Sequence, residues 1–282
     1  MVQRERSEQI LPHTSAETAF VLLASPLVEE ALEQARVMTD EPTPEGLHNL
    51  RVALRRMRSL WWSYRPLLDK GENTRQRALF KSLADAAGKP RDYDILIELL
   101  EAQRAGKEPL SSRFVEARQV ALKSGQETLA NADIRRLLPE ALAEASRTLD
   151  PEGKQRLLQE FAGRRVEASE KTLRRCTRRA GRVKKAEYTA LHDVRKAGKK
   201  VRYLLELFGP VLSGRHQETL KRLRKVQDKL GELNDVVASE NLLRDNAALL
   251  SALGNAESTL AWFRKERKRR MRAAASILRK IQ

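Results

Sequence analysis

Histidine and arginine recur in the segment LHNLRVALRRMRSL (Leu47 to Leu60) at a spacing that a helix turns into one surface. Each helical residue rotates the side-chain direction by about 100°, so His48, Arg51, Arg55 and Arg58 fall within roughly a quarter of the circumference. Such a row offers guanidinium forks and a ring N–H, the donors that suit phosphate oxygens. No acidic residue lies between His48 and Arg65, whereas a solvated helix face ordinarily alternates sign to gain pairs four residues apart. Like charges at that separation, Arg51 and Arg55 among them, cost roughly 0.2–0.5 kcal/mol per pair. An anion along the row relieves that cost.

The pattern occurs twice. At a constant offset of 144, LHDVRKAGKKVRYL (Leu191 to Leu204) repeats Leu, His, Arg51/Arg195, Ala53/Ala197, Arg58/Arg202 and Leu60/Leu204, and keeps the charge at Arg55/Lys199 and Arg56/Lys200. Its polar row is His192, Arg195, Lys199 and Arg202. Beside each row runs an apolar one that should face a core: Leu50, Leu54, Met57, Trp61 and Tyr64 in the first copy, Val194, Val201, Leu205 and Phe208 in the second. After one residue of slippage a second block follows, LADAAGKPRD (Leu83 to Asp92) against VQDKLGELND (Val226 to Asp235). It matches Asp85/Asp228, Gly88/Gly231 and Asp92/Asp235. Two blocks in one order indicate a duplicated unit.

The remaining residues of these blocks read more plainly. Gly88 and Gly231 are expected to end helices, Asp92 and Asp235 to cap the next ones, and Asp85 and Asp228 to orient neighbouring bases. Lys81 and Arg224, four residues before the matched aspartates, extend the cationic surface onto a second helix in each copy. Trp61 and Trp62 read as core and rim aromatics, with Trp62 near the basic row. A metal site at His48 and His192 is disfavoured, because these histidines stand among cations without carboxylate or thiolate company. There is no glycine-rich phosphate loop, nucleophile elbow, HExxH or paired-carboxylate signature, so neither a catalytic residue nor a cofactor is expected, and an enzyme of phosphate metabolism with His48 or His192 as phosphate acceptor is the less favoured alternative.

A formal net charge of +17 and a pI near 10.3 call for an anionic partner. Residues 1–144 carry 21 Lys and Arg against 22 Asp and Glu, and residues 145–282 carry 34 against 16, so the excess sits in the second half. The runs RRCTRRAGRVKK (Arg174 to Lys185), KRLRK (Lys221 to Lys225) and RKERKRRMR (Arg264 to Arg272) either add to the site or are exposed faces. A nucleic-acid partner rests on charge alone: aromatics make up 5% of the chain, and no RNP, KH or zinc-finger pattern occurs. A single cysteine, Cys176, excludes an intrachain disulfide. The N-terminus has no signal-peptide core, and nowhere do 18 apolar residues run together, which gives the expectation of a cytoplasmic protein away from membranes.

Periodicity near 3.6 residues dominates and alternating strand segments are absent, so the expected fold is all-α. Helices are expected near 15–38, 44–66, 73–88, 91–104, 110–130, 134–148, 152–180, 187–209, 215–232, 234–250 and 256–280. Thr43-Pro44 opens one; Gly71 and Gly214 stand where helices should stop, and Pro151 with Gly153 separates the halves. The expectation is a single domain over residues 10–282, made of one pseudo-repeat at 10–148 and another at 149–282.

The doubled blocks L-H-x-Φ-R-x-A-x-[RK]-[RK]-Φ-R and D-x-x-G-x-x-x-D resemble the CHAD family, the conserved histidine α-helical domain, from about residue 15 to the end. The resemblance implies two pseudo-symmetric helical, four-helix-bundle-like repeats around a central basic cavity or pore. It implies binding of inorganic polyphosphate, in several members at polyphosphate granules. It places His48, Arg51, Arg55, Arg56, Arg58, His192, Arg195, Lys196, Lys199, Lys200 and Arg202 at or near the polymer, with Lys81, Arg91 and Arg224 as outer contacts. Some members carry a CYTH triphosphatase domain, for which this chain has no room, so a stand-alone binding module is expected. The copies differ at Arg91, matched by Asn234, and at Leu54, matched by Gly198, where a glycine would let helices approach closely.

Overall fold

Thr43 and Pro44 start the helix that carries the first basic row. The Thr43 hydroxyl accepts from the Gly46 N–H at 3.0 Å, and the proline fills a first-turn position whose N–H would have had no partner. In the computed structural model, which describes residues 14–40, 43–104, 109–149, 156–182, 187–212, 214 and 216–279, this helix runs Pro44–Tyr64. It is the second of eleven α-helices among the described residues: α1 Ala16–Asp40, α2 Pro44–Tyr64, α3 Lys70–Ala86, α4 Lys89–Arg104, α5 Ser112–Asn131, α6 Ile134–Thr148, α7 Leu158–Arg182, α8 Tyr188–Phe208, α9 His216–Arg244, α10 Ala247–Ser251 and α11 Ala256–Arg279. The protein is all-α, as the periodicity requires. An isolated bridge between Ser15 and Leu157 is the extended pairing seen there.

Some element boundaries match between the two sequence copies. Helices α2 and α8 both span 21 residues and begin and end 144 positions apart, while α1 and α7 both span 25. The copies differ at the second block. In the first copy α3 stops at Ala86 and α4 starts at Lys89, whereas in the second one continuous helix of 29 residues, α9, runs through Gly231. The expected break between 232 and 234 is therefore absent, and Gly231 is a mid-helix residue. Gly71 lies in the first turn of α3 and so opens a helix that Asp69 caps by accepting from the Glu72 N–H at 2.8 Å. Gly214, with φ +117°, does occupy a turn, just ahead of α9. Pro151 and Gly153 lie outside the described residues.

The chain forms two compact units, one of residues 1–88, 124–169 and 203–216, the other of 89–123, 170–202 and 217–282. Each draws on both sequence halves. In the first unit α2 packs against α1 and α3, and α6 against both of these. The predicted apolar row of α2 is its centre: Leu50, Leu54, Met57, Trp61 and Tyr64 are fully buried. Phe20 meets Trp61 and Tyr64 edge-on at 5.0 Å, and Trp61 meets Phe80 at 5.1 Å, the T-shaped geometry that ring quadrupoles favour. The Trp61 indole N–H donates to Gln76 at 2.5 Å, so the deepest ring hides no unsatisfied donor.

The second unit buries Val194 and Leu191 of α8 against Val226, Leu230, Leu233 and Val237 of α9 and against Ala274 and Leu278 of α11. A neighbouring cluster joins Leu96, Leu100 and Phe114 to Val236, Leu243 and Phe263. Cys176 is half-buried beside the first of these clusters.

Candidate anion-binding site

With its apolar row inside the first unit, α2 must turn the adjacent row outward. His48 is exposed, and Arg51, Arg55 and Arg58 are half-buried. Two of them are held in place. Arg51 donates to the Gly88 carbonyl at 3.3 Å, and Arg55 donates to the Tyr203 hydroxyl at 3.1 Å. Both of these acceptors are neutral, so the two bonds orient the side chains without themselves adding a counter-charge.

Gly88 turns out to serve Arg51. It stands just past the end of α3, as the sequence led us to expect, but its φ is not in the left-handed region that a helix-ending glycine commonly adopts. A Cβ there would stand 2.7 Å from Cζ and Nη1 of Arg51. The missing side chain is the space in which the guanidinium lies.

In the second unit the row of α8 gathers a counter-charge. His192 and Arg195 are half-buried, as are Lys199 and Arg202, while Lys196 and Lys200 are exposed. Asp235, expected to cap a helix, lies instead in the interior of α9, half-buried. Burial raises its pKa, and Arg195, Lys199, Arg91 and Arg270 act against that rise. The aspartate is thus within electrostatic reach of cations from α4, α8 and α11. Its partner in the repeat, Asp92, sits in the first turn of α4, where a carboxylate favours the helix dipole.

His192 stacks on Tyr188 at 5.5 Å, and its Nδ1 is buried without a hydrogen-bond partner. Burial lowers its pKa first, then the charges of Lys196, Arg195 and Lys199, with Asp193 opposing. The ring is therefore neutral at neutral pH, and the protonated form needs an anion beside it. The Tyr188 hydroxyl donates to Asn234 at 3.4 Å. The second copy thus has a neutral amide where the first has the cation Arg91.

Not every predicted contact joins a row. Arg56 is exposed and bound to both oxygens of Glu30 on α1, at 3.0 and 3.2 Å. Lys81 pairs with Asp85 one turn on, at 2.8 Å, and Arg91 with Glu98 at 2.9 Å. These pairs are exposed and weak, and a polyanion can displace them at a cost of about 0–1 kcal/mol each. Arg224 is exposed on α9.

The run Arg264 to Arg272 is partly committed to internal partners, while Arg264, Lys265, Lys268 and Arg272 are exposed. Glu266 takes Arg269 and Arg270, which hold its pKa down to about 2, and Arg267 pairs with Glu240. In the run that begins at Arg174, Arg174 pairs with Glu170 and Arg175, Arg178 and Arg179 are exposed; residues 183–186 lie outside the described residues. Among the described residues no three of His, Cys, Asp and Glu are grouped to hold a metal, and no helix is long and apolar enough to cross a membrane.

Both basic rows, His48 to Arg58 and His192 to Arg202, fall inside the range matched by a known family. A model of the CHAD domain matches residues 24–244. The chain belongs to the CHAD domain family. Its structure is similar to the crystal structure of the CHAD domain from the plant Ricinus communis, with a TM-score of 0.74 at 20% identity over 96% of this chain and 93% of that one. It is also similar to PptA from Streptomyces chartreusis, with a TM-score of 0.68 at 12% identity over 95% and 99%. At these identities the likeness is one of fold. No curated protein matches this CHAD chain in sequence.

Several residues of the site were not apparent from the sequence. Asp235 was hidden by its resemblance to a cap, and Tyr188 and Tyr203 are single aromatics whose role depends on tertiary neighbours. Arg270 was one base in a run of many. Only the position of Arg65 carried a signal, since it prolongs the three- and four-residue steps of the first row.

Proposed function

We propose that this CHAD protein binds inorganic polyphosphate, without transforming it, through the basic rows of α2 and α8. The observation that carries the reading is the pair of matched rows, each seated on a buried apolar stripe. In the first row Arg51 and Arg55 are oriented by neutral acceptors. A linear phosphate polymer presents repeating oxyanions with no base or sugar, so cations at regular spacing suffice to recognise it.

Family membership supports the same ligand, and the basic cavity, the granule association and the remaining contacts at Arg56, Lys81, Arg91, Lys200 and Arg224 belong to this proposal. Binding to nucleic acid is disfavoured by the aromatics. Trp62, the tryptophan beside the first row, is 8% exposed and carries the guanidinia of Arg65 and Arg165 over its ring, so it offers no face to a base.

The test is a competition titration at physiological salt between long-chain polyphosphate and single-stranded RNA of matched length, with phosphate release followed in parallel. Tight binding of polyphosphate, weaker binding of RNA and no released phosphate are expected. Equal affinities would assign the binding to diffuse charge, and released phosphate would make the protein an enzyme.

A further inference from the structure

The basic register of α2 does not stop where the repeat stops. Continuing from His48, Arg51, Arg55 and Arg58 by the same four- and three-residue steps leads to Trp62 and Arg65. In the second copy the corresponding positions are Glu206 and Gly209, so there the row ends in an acid. From His48 to Arg65 the first row is about 25 Å long at 1.5 Å per residue.

Two further arginines of the first unit meet this end of α2. Arg165, on α7, is 9% exposed; its guanidinium lies 4.9 Å from the centre of the Trp62 ring and donates to the carbonyls of Ser63 at 2.8 Å and Trp62 at 3.1 Å. Arg65 lies 5.7 Å from the same ring. Arg77, on α3, is half-buried, and its Nε–H is buried with no hydrogen-bond partner. Its counterpart in the second copy is the buried Leu220.

Capping the last carbonyls of α2 accounts for Arg165. It does not account for Arg77, which sets a charge and an unused donor beside Arg58 and Arg65. Among the described residues, none of Arg58, Arg65, Arg77 and Arg165 forms an ion pair with a carboxylate. Burial, and then repulsion from Arg58 and Arg65, lowers the pKa of Arg77; burial and Arg65 bring that of Arg165 down to about 10. Both remain charged at neutral pH, in an arrangement that destabilises itself unless an anion is present.

We propose that Arg65, Arg77 and Arg165 form an additional anion subsite at the Trp62 end of α2, which takes a phosphate group and prolongs the first row in one direction only. Its ligand class is a phosphate or phosphoanhydride oxyanion, because two guanidinium groups share the Trp62 ring with a third on the adjacent α3, and a single carboxylate would leave most of that charge uncompensated. That the phosphate belongs to a polymer lying on the row rests on the function proposed above. The subsite makes the two copies unequal, since it prolongs the first row and has no counterpart in the second.

The experiment follows the arginine Nε–H resonances of the full-length 15N-labelled protein, with Arg77 assigned by R77L, the residue of the second copy. Pyrophosphate and long-chain polyphosphate are titrated separately, and affinities are measured for R65Q/R77L at several salt concentrations. The subsite predicts that both probes shift the Arg77 and Arg165 signals. It also predicts that R65Q/R77L binds long chains about tenfold more weakly, and that the slope of log affinity against log salt falls by about 0.7 for each phosphate that is no longer neutralised.

Signals that move with pyrophosphate but not with the polymer would overturn the extension and leave a site for small phosphates. Signals unmoved by both probes, together with wild-type affinities in R65Q/R77L, would overturn the subsite. R51A/R55A separates this proposal from the function itself: wild-type binding there, with weakened binding in R65Q/R77L, would refute the row and keep the subsite.

Discussion

A methyl group at Gly88 should disturb the first basic row while leaving the fold intact. In Gly88→Ala the new Cβ would lie 2.7 Å from Cζ and Nη1 of Arg51, where ordinary contact begins near 3.4 Å, so the guanidinium must move by about 0.7 Å. The 3.3 Å hydrogen bond to the Gly88 carbonyl then exceeds a bonding distance. Its loss costs about 1 kcal/mol, since the donor is charged but the site is half-exposed. Against this, alanine lowers the entropy of the unfolded chain, worth about 0.4–1 kcal/mol where the backbone tolerates it, and Gly88 has no positive φ. The net change in stability is about 0.5 kcal/mol or less, a melting shift of at most about 2 °C. Binding should fall three- to tenfold, or about 0.7–1.4 kcal/mol, because Arg51 leaves its place in the row. Calorimetric melting and titration with polyphosphate read the two effects separately. A variant that melts much more than about 2 °C lower would show that packing demands the glycine. Wild-type binding in G88A alongside weakened binding in R51A would show that the position of the guanidinium is immaterial.

Further outcomes follow from the second unit and from the glycines. Asp235→Asn removes the carboxylate facing Arg195, Lys199, Arg91 and Arg270 and should tighten polyphosphate binding by about 1 kcal/mol, roughly fivefold, in the same titration. Because burial and three neighbouring cations depress the pKa of His192 below its ordinary 6.5, a bound polyanion should raise it. Affinity then increases as pH falls through that range, with proton uptake, and H192Q flattens the profile there; Asp235, raised by burial and neutralised at lower pH, adds in the same direction. In the free protein the His192 contribution has the opposite sense for folding: stability is lost as pH falls below about 6.5 toward the depressed value, measurable by urea unfolding. Gly125→Ala should destabilise by about 1–3 kcal/mol, since its Cβ would lie 2.8 Å from the Ala86 carbonyl, whereas Gly198→Ala, with its nearest neighbour at 3.7 Å, should stabilise α8 by about 0.5 kcal/mol in thermal melts.

Much of this was legible in the sequence because a helix converts spacing directly into faces. The apolar row of α2 from Leu50 to Tyr64 and the polar row from His48 to Arg58 are read from periodicity alone, and the offset of 144 foretells the matched ends of α2 and α8. What failed was the reading of single residues whose role is tertiary. Gly231 looked like Gly88, yet one lies within a helix and the other makes room for an arginine. Asp235 had the sequence context of a cap and became a half-buried counter-charge, because nothing local announces which cations from α4, α8 and α11 will act on it. Gly198 suggested a close helix approach, but the tight approach occurs at Gly125, which stands in no motif.

The most direct test of the central claim is the quadruple variant R51A/R55A/R195A/K199A, titrated with long-chain polyphosphate at physiological salt and checked for helicity and melting temperature against the wild type. A folded variant whose affinity has dropped at least a hundredfold, about 2.7 kcal/mol or more, is predicted, with its salt slope reduced in proportion. A folded variant that binds as the wild type does would contradict the account, since the remaining basic surface would then suffice without either row.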